Sequence, residues 1–195
     1  MIMSLEQVAI SLICVSVAIF IGIKKVVKIA SKQWGITVLS IAGVFFLIGS
    51  TMFIRLHFIP FTSPEEAYRS VYGENPVLVI EGVESDCIVG NKKTVYLNKS
   101  EKGWNVPIIN ISITKGIKCV DSTTVYVSQY NFSNEYYVTV LDSENSSLEI
   151  EDNRNSMFYK SSSDDKNSCI YHTYVNKINK EYQITVNGEK IILLE

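Results

Sequence analysis

The chain carries two histidines and four cysteines in 195 residues, and no C-x-x-C spacing. Zinc sites are built from clustered cysteine and histidine, so this scarcity excludes their usual arrangements. Triad-type catalysis needs a base beside its nucleophile. Here His57 follows a long apolar run, and His172 alternates with Ile170 and Tyr174 as an ordinary strand histidine does. There is no G-x-S-x-G, no H-E-x-x-H, no P-loop and no G-x-G-x-x-G.

Basic excess is lacking as well. Residues 60–195 hold 13 Lys and Arg against 19 Asp and Glu, a formal charge of −6. Nucleic acid and anionic lipid surfaces both call for a basic face, so neither is expected as the ligand of this part. Asp142, Glu144, Glu149, Glu151 and Asp152 are oxygen donors in one segment, 142–152. Their spacing is not that of an EF-hand and its glycine is missing, so the segment reads as a solvated acidic loop. No residue is assigned as catalytic, cofactor-binding or metal-ligating. The chain is expected to need no cofactor and to be no enzyme. Carboxylate pairs are placed by a fold and not by spacing, which keeps a carboxylate-based hydrolase as a second alternative.

What the chain has in quantity is apolar length. The mean hydropathy of +0.15 pools two unlike regions. Residues 34–54 contain no charge, and at about 1.5 Å per residue such a helix spans a hydrocarbon core of about 30 Å. A buried helix of a soluble domain rarely runs so far without a polar face. Residues 8–23 form a second run, long enough to span if Lys24 and Lys25 snorkel. A cleaved signal peptide has a basic start and a small-residue cleavage site, but here Glu6 precedes the run and lysines follow it.

The connection at 24–33 holds Lys24, Lys25, Lys28 and Lys32, which the positive-inside rule places in the cytoplasm. The expected topology is a multi-pass protein of the cell membrane with two spans. Its N-terminus and residues 60–195 lie outside, and Trp34 anchors the cytoplasmic end of the second span. Cys14, Ala18 and Gly22 form one small-residue stripe, and Ala42, Gly43, Gly49 and Ser50 another, which are expected to face each other or a partner. Neither run contains an ionisable residue, which argues against a transporter.

Beyond the spans, Pro60 and Pro64 interrupt the helix, and Ser63-Pro-Glu-Glu66 reads as a capping box with proline in the first turn. The helix this starts is expected over 64–72, with Tyr68, Val71 and Tyr72 on its apolar face and Gly73 as its stop. The remainder reads as strands. Residues 76–82 form a continuous apolar run and 87–89 a brief one, and 94–98 with 104–106 flank a turn. Ile109, Ile111 and Ile113 alternate with polar residues. Segments 124–130, 136–141 and 169–175 are β-branched and aromatic. Residues 157–160 are a short strand candidate, and 161–168 form a loop tip. Residues 182–186 and 190–194 flank Asn187-Gly188, a type I′ hairpin signal. Cys87, Cys119 and Cys169 are odd in number, so at most one internal bridge forms, and spacing does not choose the pair.

S-P-E-E-A-Y (63–68) after a span, the Gly103-Trp104 turn and the closing YQITVNGEKI hairpin (182–191) together resemble small membrane-anchored envelope proteins of low-GC Gram-positive bacteria. The resemblance is structural and implies no activity and no site residues. It implies that residues 60–195 face the wall space.

The expected fold is a two-helix transmembrane hairpin (1–58) followed by a mainly antiparallel β domain (60–195), a sandwich or curved sheet with one short N-terminal helix. The expected function is non-enzymatic. The hairpin would present the β domain for contact with a membrane or envelope protein, in a complex, sensory or immunity-type role, the bilayer itself being the other partner. The first alternative is a surface domain that binds a small ligand or wall glycan through Tyr126, Tyr130, Tyr136, Tyr137, Tyr171 and Tyr174.

Overall fold

The computed structural model describes residues 5–26, 32–91, 93–120, 122–144, 147–162 and 168–192. Within them lie three helices, of which one is an apolar candidate span near the N-terminus, and three antiparallel β-sheets. The helices are α1 (Leu5–Val26), α2 (Lys32–Phe58) and α3 (Pro64–Tyr72). The first sheet holds β1 (Leu78–Glu81), β2 (Ser85–Val89), β3 (Thr94–Ser100) and β4 (Gly103–Asn105) in that order. A central sheet has β5 (Ser112–Val120), β6 (Thr123–Tyr130) and β7 (Glu135–Asp142). It is completed by β9 (Tyr159–Ser162) and β10 (Cys169–Asn176), in the order β5-β6-β7-β10-β9. The third sheet orders β12 (Glu189–Ile192), β11 (Gln183–Val186) and β8 (Ile150–Asp152).

Both helices of the hairpin run past the charge-free stretches. The stretch of α2 long and apolar enough to cross a membrane is Trp34–Phe58, whereas that of α1 is the shorter Gln7–Gly22. α2 continues through Arg55 to Phe58 because Leu56 and His57 of its last turn are buried. Leu56 joins a core with Phe61, Ala67, Tyr68, Val71, Ile88, Val95, Leu97 and Val106. His57 donates from Nδ1 to the Val106 carbonyl at 2.8 Å. Pro60 then disfavours helical backbone at the residue before it. At the other end, Lys24 and Lys25 remain inside α1, and Lys32 already belongs to α2. The expected loop 24–33 is therefore shorter, and 27–31 lie outside the described residues.

The helices meet along Ala9 and Ser16 of α1 and Ala42 and Gly49 of α2, all buried and seven residues apart on each helix. Gly49 permits the contact: a Cβ there would stand 3.0 Å from both the Ala9 carbonyl oxygen and Ile13 Cγ1. Cys14, Ala18, Gly22 and Gly43, expected at this seam, face outward instead. A heptad repeat brings the two backbones closest at Gly49, and Cys14, Ala18 and Gly22 lie around the helix from that line.

α3 begins on its cap, with Ser63 Oγ accepting from the Glu66 amide at 3.1 Å. The return half of the box reaches one residue further than usual. Glu66 accepts from the Thr62 amide at 3.0 Å and the Thr62 hydroxyl at 2.6 Å. Gly73, at φ 72°, closes the helix by donating to the Arg69 carbonyl. Tyr68 and Val71 are buried against the first sheet and Tyr72 is half-buried. The Tyr68 hydroxyl lies so close to Gly90 that a Cβ there would meet it at 1.8 Å, so only glycine fits beneath it.

Period-two strands send alternate side chains to opposite faces, and in the central sheet both faces are apolar. Val125, Val127, Val138, Val140 and Tyr171 pack against Tyr182, Ile184 and Ile191 of the third-sheet region. Tyr130, Tyr137 and Ile170 pack the other way, against Leu78, Ile80, Cys87 and Tyr96 of the first sheet. The layers run helix α3, first sheet, central sheet, third sheet. Cys87 and Cys169 are buried on opposite sides of the central sheet, Cys119 is exposed on β5, and none of the three is in a disulfide.

One expected strand is displaced. β6 ends at Tyr130, opposite Ser112, so Ile109 and Ile111 have no strand to pair with. The alternation there falls in a connection, and the strand runs from Ser112 with a bulge between Thr114 and Gly116. The closing hairpin has both turn residues at positive φ, Asn187 at 49° and Gly188 at 81°, as a type I′ turn requires.

A buried carboxylate joins the first two sheets. Glu135 Oε1 accepts from the amides of Val83 at 2.8 Å and Glu84 at 2.9 Å, and from the Tyr174 hydroxyl at 3.1 Å. Its Oε2 accepts from the Ser85 hydroxyl. Tyr137 donates to the Ser85 carbonyl at 2.8 Å. Glu135→Ala strands these donors in the interior and should lower unfolding stability by about 3 kcal/mol. Chemical unfolding of the full chain in detergent measures this, and a loss below about 1 kcal/mol would show that the turn does not depend on the carboxylate.

Candidate recognition site

The six tyrosines proposed as a ligand surface are interior or half-buried. Tyr130, Tyr137 and Tyr171 are buried, and Tyr126, Tyr136 and Tyr174 are half-buried. They form cross-layer packing: Tyr96 stacks on Tyr130 with ring centroids 5.1 Å apart, and Tyr137 tilts against Tyr96 at 5.4 Å and Tyr174 at 5.8 Å. Each hydroxyl in this row has a partner. Tyr96 donates to Ser128 Oγ at 2.7 Å and Tyr130 to Asn98 Oδ1 at 2.7 Å. Burial pushes the Tyr130 and Tyr174 phenols up to about 12, with the Glu135 charge adding to the shift at Tyr174. Cys87 is likewise pushed up to about 12 by burial, which removes thiolate reactivity. The tyrosine strip is therefore a packing element, and a ligand reading has to rest on other groups as well.

The acidic segment divides. Asp152 is buried and committed, its Oδ1 accepting from the amides of Arg154 at 3.0 Å and Ser156 at 2.7 Å and its Oδ2 from the Tyr182 hydroxyl at 3.0 Å. Asp142 is buried too and caps the Glu144 amide at 3.0 Å. Glu144, Glu149 and Glu151 point to solvent. Among the described residues no three His, Cys, Asp or Glu side chains are grouped to hold a metal ion. The two acids that do approach one another through a shared turn are Asp86 and Glu135, which composition did not single out. Asp86 is spent on the Gly82 amide at 3.1 Å, the Trp104 indole at 2.6 Å and Lys99 at 3.6 Å. Both carboxylates are engaged by structural partners.

Among the described residues, two concave surfaces of the β-sheet region bear on recognition. The first, about 560 Å³, lies between the first and central sheets at their β1 and β9 margins. Its floor is His172–Tyr174 of β10, one wall is Val79–Glu81 of β1, and the other holds Met157 and Tyr159. β1 and β9 each pair on one side only among the described residues, and β9 covers β10 no further than His172. Met157 and Tyr159 are exposed, and the Tyr159 ring lies over His172 at 5.9 Å. Free strand edges beside exposed apolar side chains suit an extended peptide, which adds main-chain hydrogen bonds and seats alternate side chains.

The second is a cleft of about 250 Å³ where the first two sheets part, with a mainly apolar lining that includes Cys87, Val89 and Ile170 beside the hydroxyl-bearing Tyr96, Tyr126, Ser128 and Thr139. It shares Leu141 and Ile170 with a further hollow of about 530 Å³ reaching Cys119 and Thr124. The only carboxylate in its lining is Asp142, so a ligand there would be neutral.

His172 lies at the edge of the first groove. Its Nε2 is 3.2 Å from Ser161 Oγ, while Nδ1 is buried with no hydrogen-bond partner. An imidazolium needs acceptors at both nitrogens, so burial holds this group below its ordinary value of 6.5. Nothing in the sequence distinguished this histidine from other strand histidines, since its surroundings come from β1 and β9.

Comparison with protein-family models, with curated proteins and with solved structures finds no match for this chain.

Because the folded pKa of His172 is depressed, its contribution to stability is complete above the unfolded value. It is lost as pH falls through the folded one. The unfolding midpoint of the full chain should decline as pH drops from about 6.5 to about 5, above the range where unfolded carboxylates titrate. His172→Gln should flatten that decline. An unchanged pH profile in the variant would assign the dependence elsewhere.

Proposed function

We propose that this chain is a non-enzymatic membrane protein whose α1–α2 hairpin spans the bilayer and presents the β-sheet region to an envelope protein partner. The observation that carries the reading is the exposure of α2. Only 11% of its most apolar stretch is buried, and Ile41, Val44, Leu47 and Ile48 point outward. A core helix of a water-soluble protein would be covered, and an apolar surface of this extent needs an apolar surrounding.

α1 is shorter in its apolar part, about 24 Å at helical rise, and its flanking lysines lengthen its reach by snorkelling. Its packing at Gly49 favours a retained second span over a signal segment that is removed. With Lys24, Lys25, Lys28 and Lys32 in the cytoplasm, residues 60–195 stand outside. Recognition is assigned to the β1–β9 groove, as strand addition by an extended segment of the partner. A second reading follows from the cleft between the first two sheets, a site for a neutral ligand such as a glycan, held by Ser and Thr hydroxyls together with Tyr96 and Tyr126.

In a Cys14→Ser, Cys119→Ser background, an impermeant thiol reagent on intact cells should label Ser162→Cys and leave Ser31→Cys untouched. The reverse pattern would invert the topology, and a mature chain starting after residue 23 would remove the first span. A photo-cross-linker at Met157 or Tyr159 should capture a protein that the same group at Glu181 does not. Equal capture at all three positions would remove the groove assignment.

A further inference from the structure

The connection between β4 and β5 and the turn between β6 and β7 form a second apolar surface, distinct from the helices. Ile108 is 55% exposed, Ile109 65%, Ile111 41% and Phe132 72%. Hydrogen bonds hold the two segments together. The Asn131 amide donates to the Ile111 carbonyl at 3.0 Å, the Ile111 amide to Asn131 Oδ1 at 3.1 Å, and Asn131 Nδ2 to the Ile109 carbonyl at 3.4 Å. Neither segment carries a charge: residues 103–113 and 129–134 contain no Asp, Glu, Lys, Arg or His.

Phe132 is the costly member. Asn131 and Phe132 have φ of 45° and 57°, and the Ser133 amide donates to the Tyr130 carbonyl at 2.8 Å, a turn with both central residues left-handed. The second central position of such a turn favours glycine, as the Asn187-Gly188 turn of this same chain has. A left-handed conformation is unfavourable for a residue with a Cβ. The phenyl ring recovers little of that within the chain, because most of it faces outward.

The patch lies beside the point where α2 ends. Val106, two residues before Ile108, accepts from His57 at 2.8 Å, and Phe61 bridges Trp104. The outward apolar surface of α2 extends to its last residues through Ile54 and Phe58 and on to Ile59. Arg55 turns there to donate to the Ile59 carbonyl at 3.3 Å, as a side chain at a bilayer interface does.

We infer that Ile108, Ile109, Ile111 and Phe132 insert into the interfacial layer of the bilayer that α2 crosses, making a second, peripheral membrane contact. This rests on the transmembrane reading of the hairpin. An uncharged apolar loop at headgroup depth gains burial for each side chain, and it holds the sheets at one tilt above the membrane. The strained turn then has a function, since it aims Phe132 at the lipid.

The test uses the full chain with Cys14→Ser and Cys119→Ser, reconstituted in phosphatidylcholine and phosphatidylglycerol vesicles. An environment-sensitive fluorophore is placed on Phe132→Cys, Ile109→Cys, Ile41→Cys or Glu181→Cys in turn, with lipids carrying quenchers at defined depth. The inference expects blue-shifted emission at 132 and 109 and quenching by shallow quenchers, deep quenching at 41, and water-like emission at 181. Quenching at 41 without quenching at 132 and 109 overturns the inference and leaves the hairpin reading standing. No quenching at 41 overturns the hairpin reading and the inference with it. Blue-shifted emission at 132 that lipid quenchers do not reach means a protein covers the patch, a second copy included, and also overturns it. Phe132→Gly, which relieves the turn, should keep the unfolding midpoint in detergent or raise it. It should also reduce lipid quenching at 109 toward the level at 181, and unchanged quenching there would remove Phe132 from the contact.

Discussion

The central sheet has no face that can be left to water, and the rest of the fold follows from that constraint. Valines of β6 and β7 line one side and tyrosines the other, so each side needs a cover. The third sheet supplies an aliphatic cover. The first sheet supplies a cover that must also receive hydroxyls, because a buried tyrosine retains a donor that has to be paired. Ser85, Asn98, Ser128 and Glu135 are the partners that receive them. The Glu135 carboxylate gathers the β1–β2 turn and the Tyr174 hydroxyl at one point, so the first sheet meets the central one in a single register.

The same covering logic joins the sheets to the helices. The outer face of the first sheet is closed by α3 and by the last turn of α2, with Leu56 in the core and His57 on the Val106 carbonyl. α2 therefore runs into the sheet region without a flexible linker, and a displacement of the helix end is passed directly to β4 and the residues after it. Under the membrane reading, the hairpin sets the height and rotation of the sheets as well as retaining them.

The buried acids Asp86, Glu135 and Asp152 accept from amides, hydroxyls, an indole and a lysine, and Cys87 and Cys169 are buried. Left open are a groove with two one-sided strand margins and a cleft with neutral hydroxyls in a mainly apolar lining. Both are suited to binding, the first through main-chain pairing and the second through hydrogen bonds to an uncharged ligand.

Local signals were legible wherever one short segment carries its own physics. The Ser63 cap, the Gly73 stop, the Asn187-Gly188 turn and the β-branched runs of β6, β7 and β10 all read directly, because capping, positive φ and period two are properties of a few neighbouring residues. The Ile109–Ile113 alternation misled for the opposite reason: a strand exists only where a partner strand continues, and β6 ends at Tyr130. Small residues on α1 misled similarly, since the seam is chosen by the closest approach at Gly49 of the other helix. The sequence by itself determined most of the elements, their order and the apolar character of the hairpin, while β8 lies in a segment that reads as a solvated acidic loop. Only the tertiary structure decided that the tyrosines are core, that Glu135 is a clamp, that His172 is walled in, and that Phe132 is left outside. Each of those depends on residues brought together from distant parts of the chain, and no local pattern encodes which of them will meet.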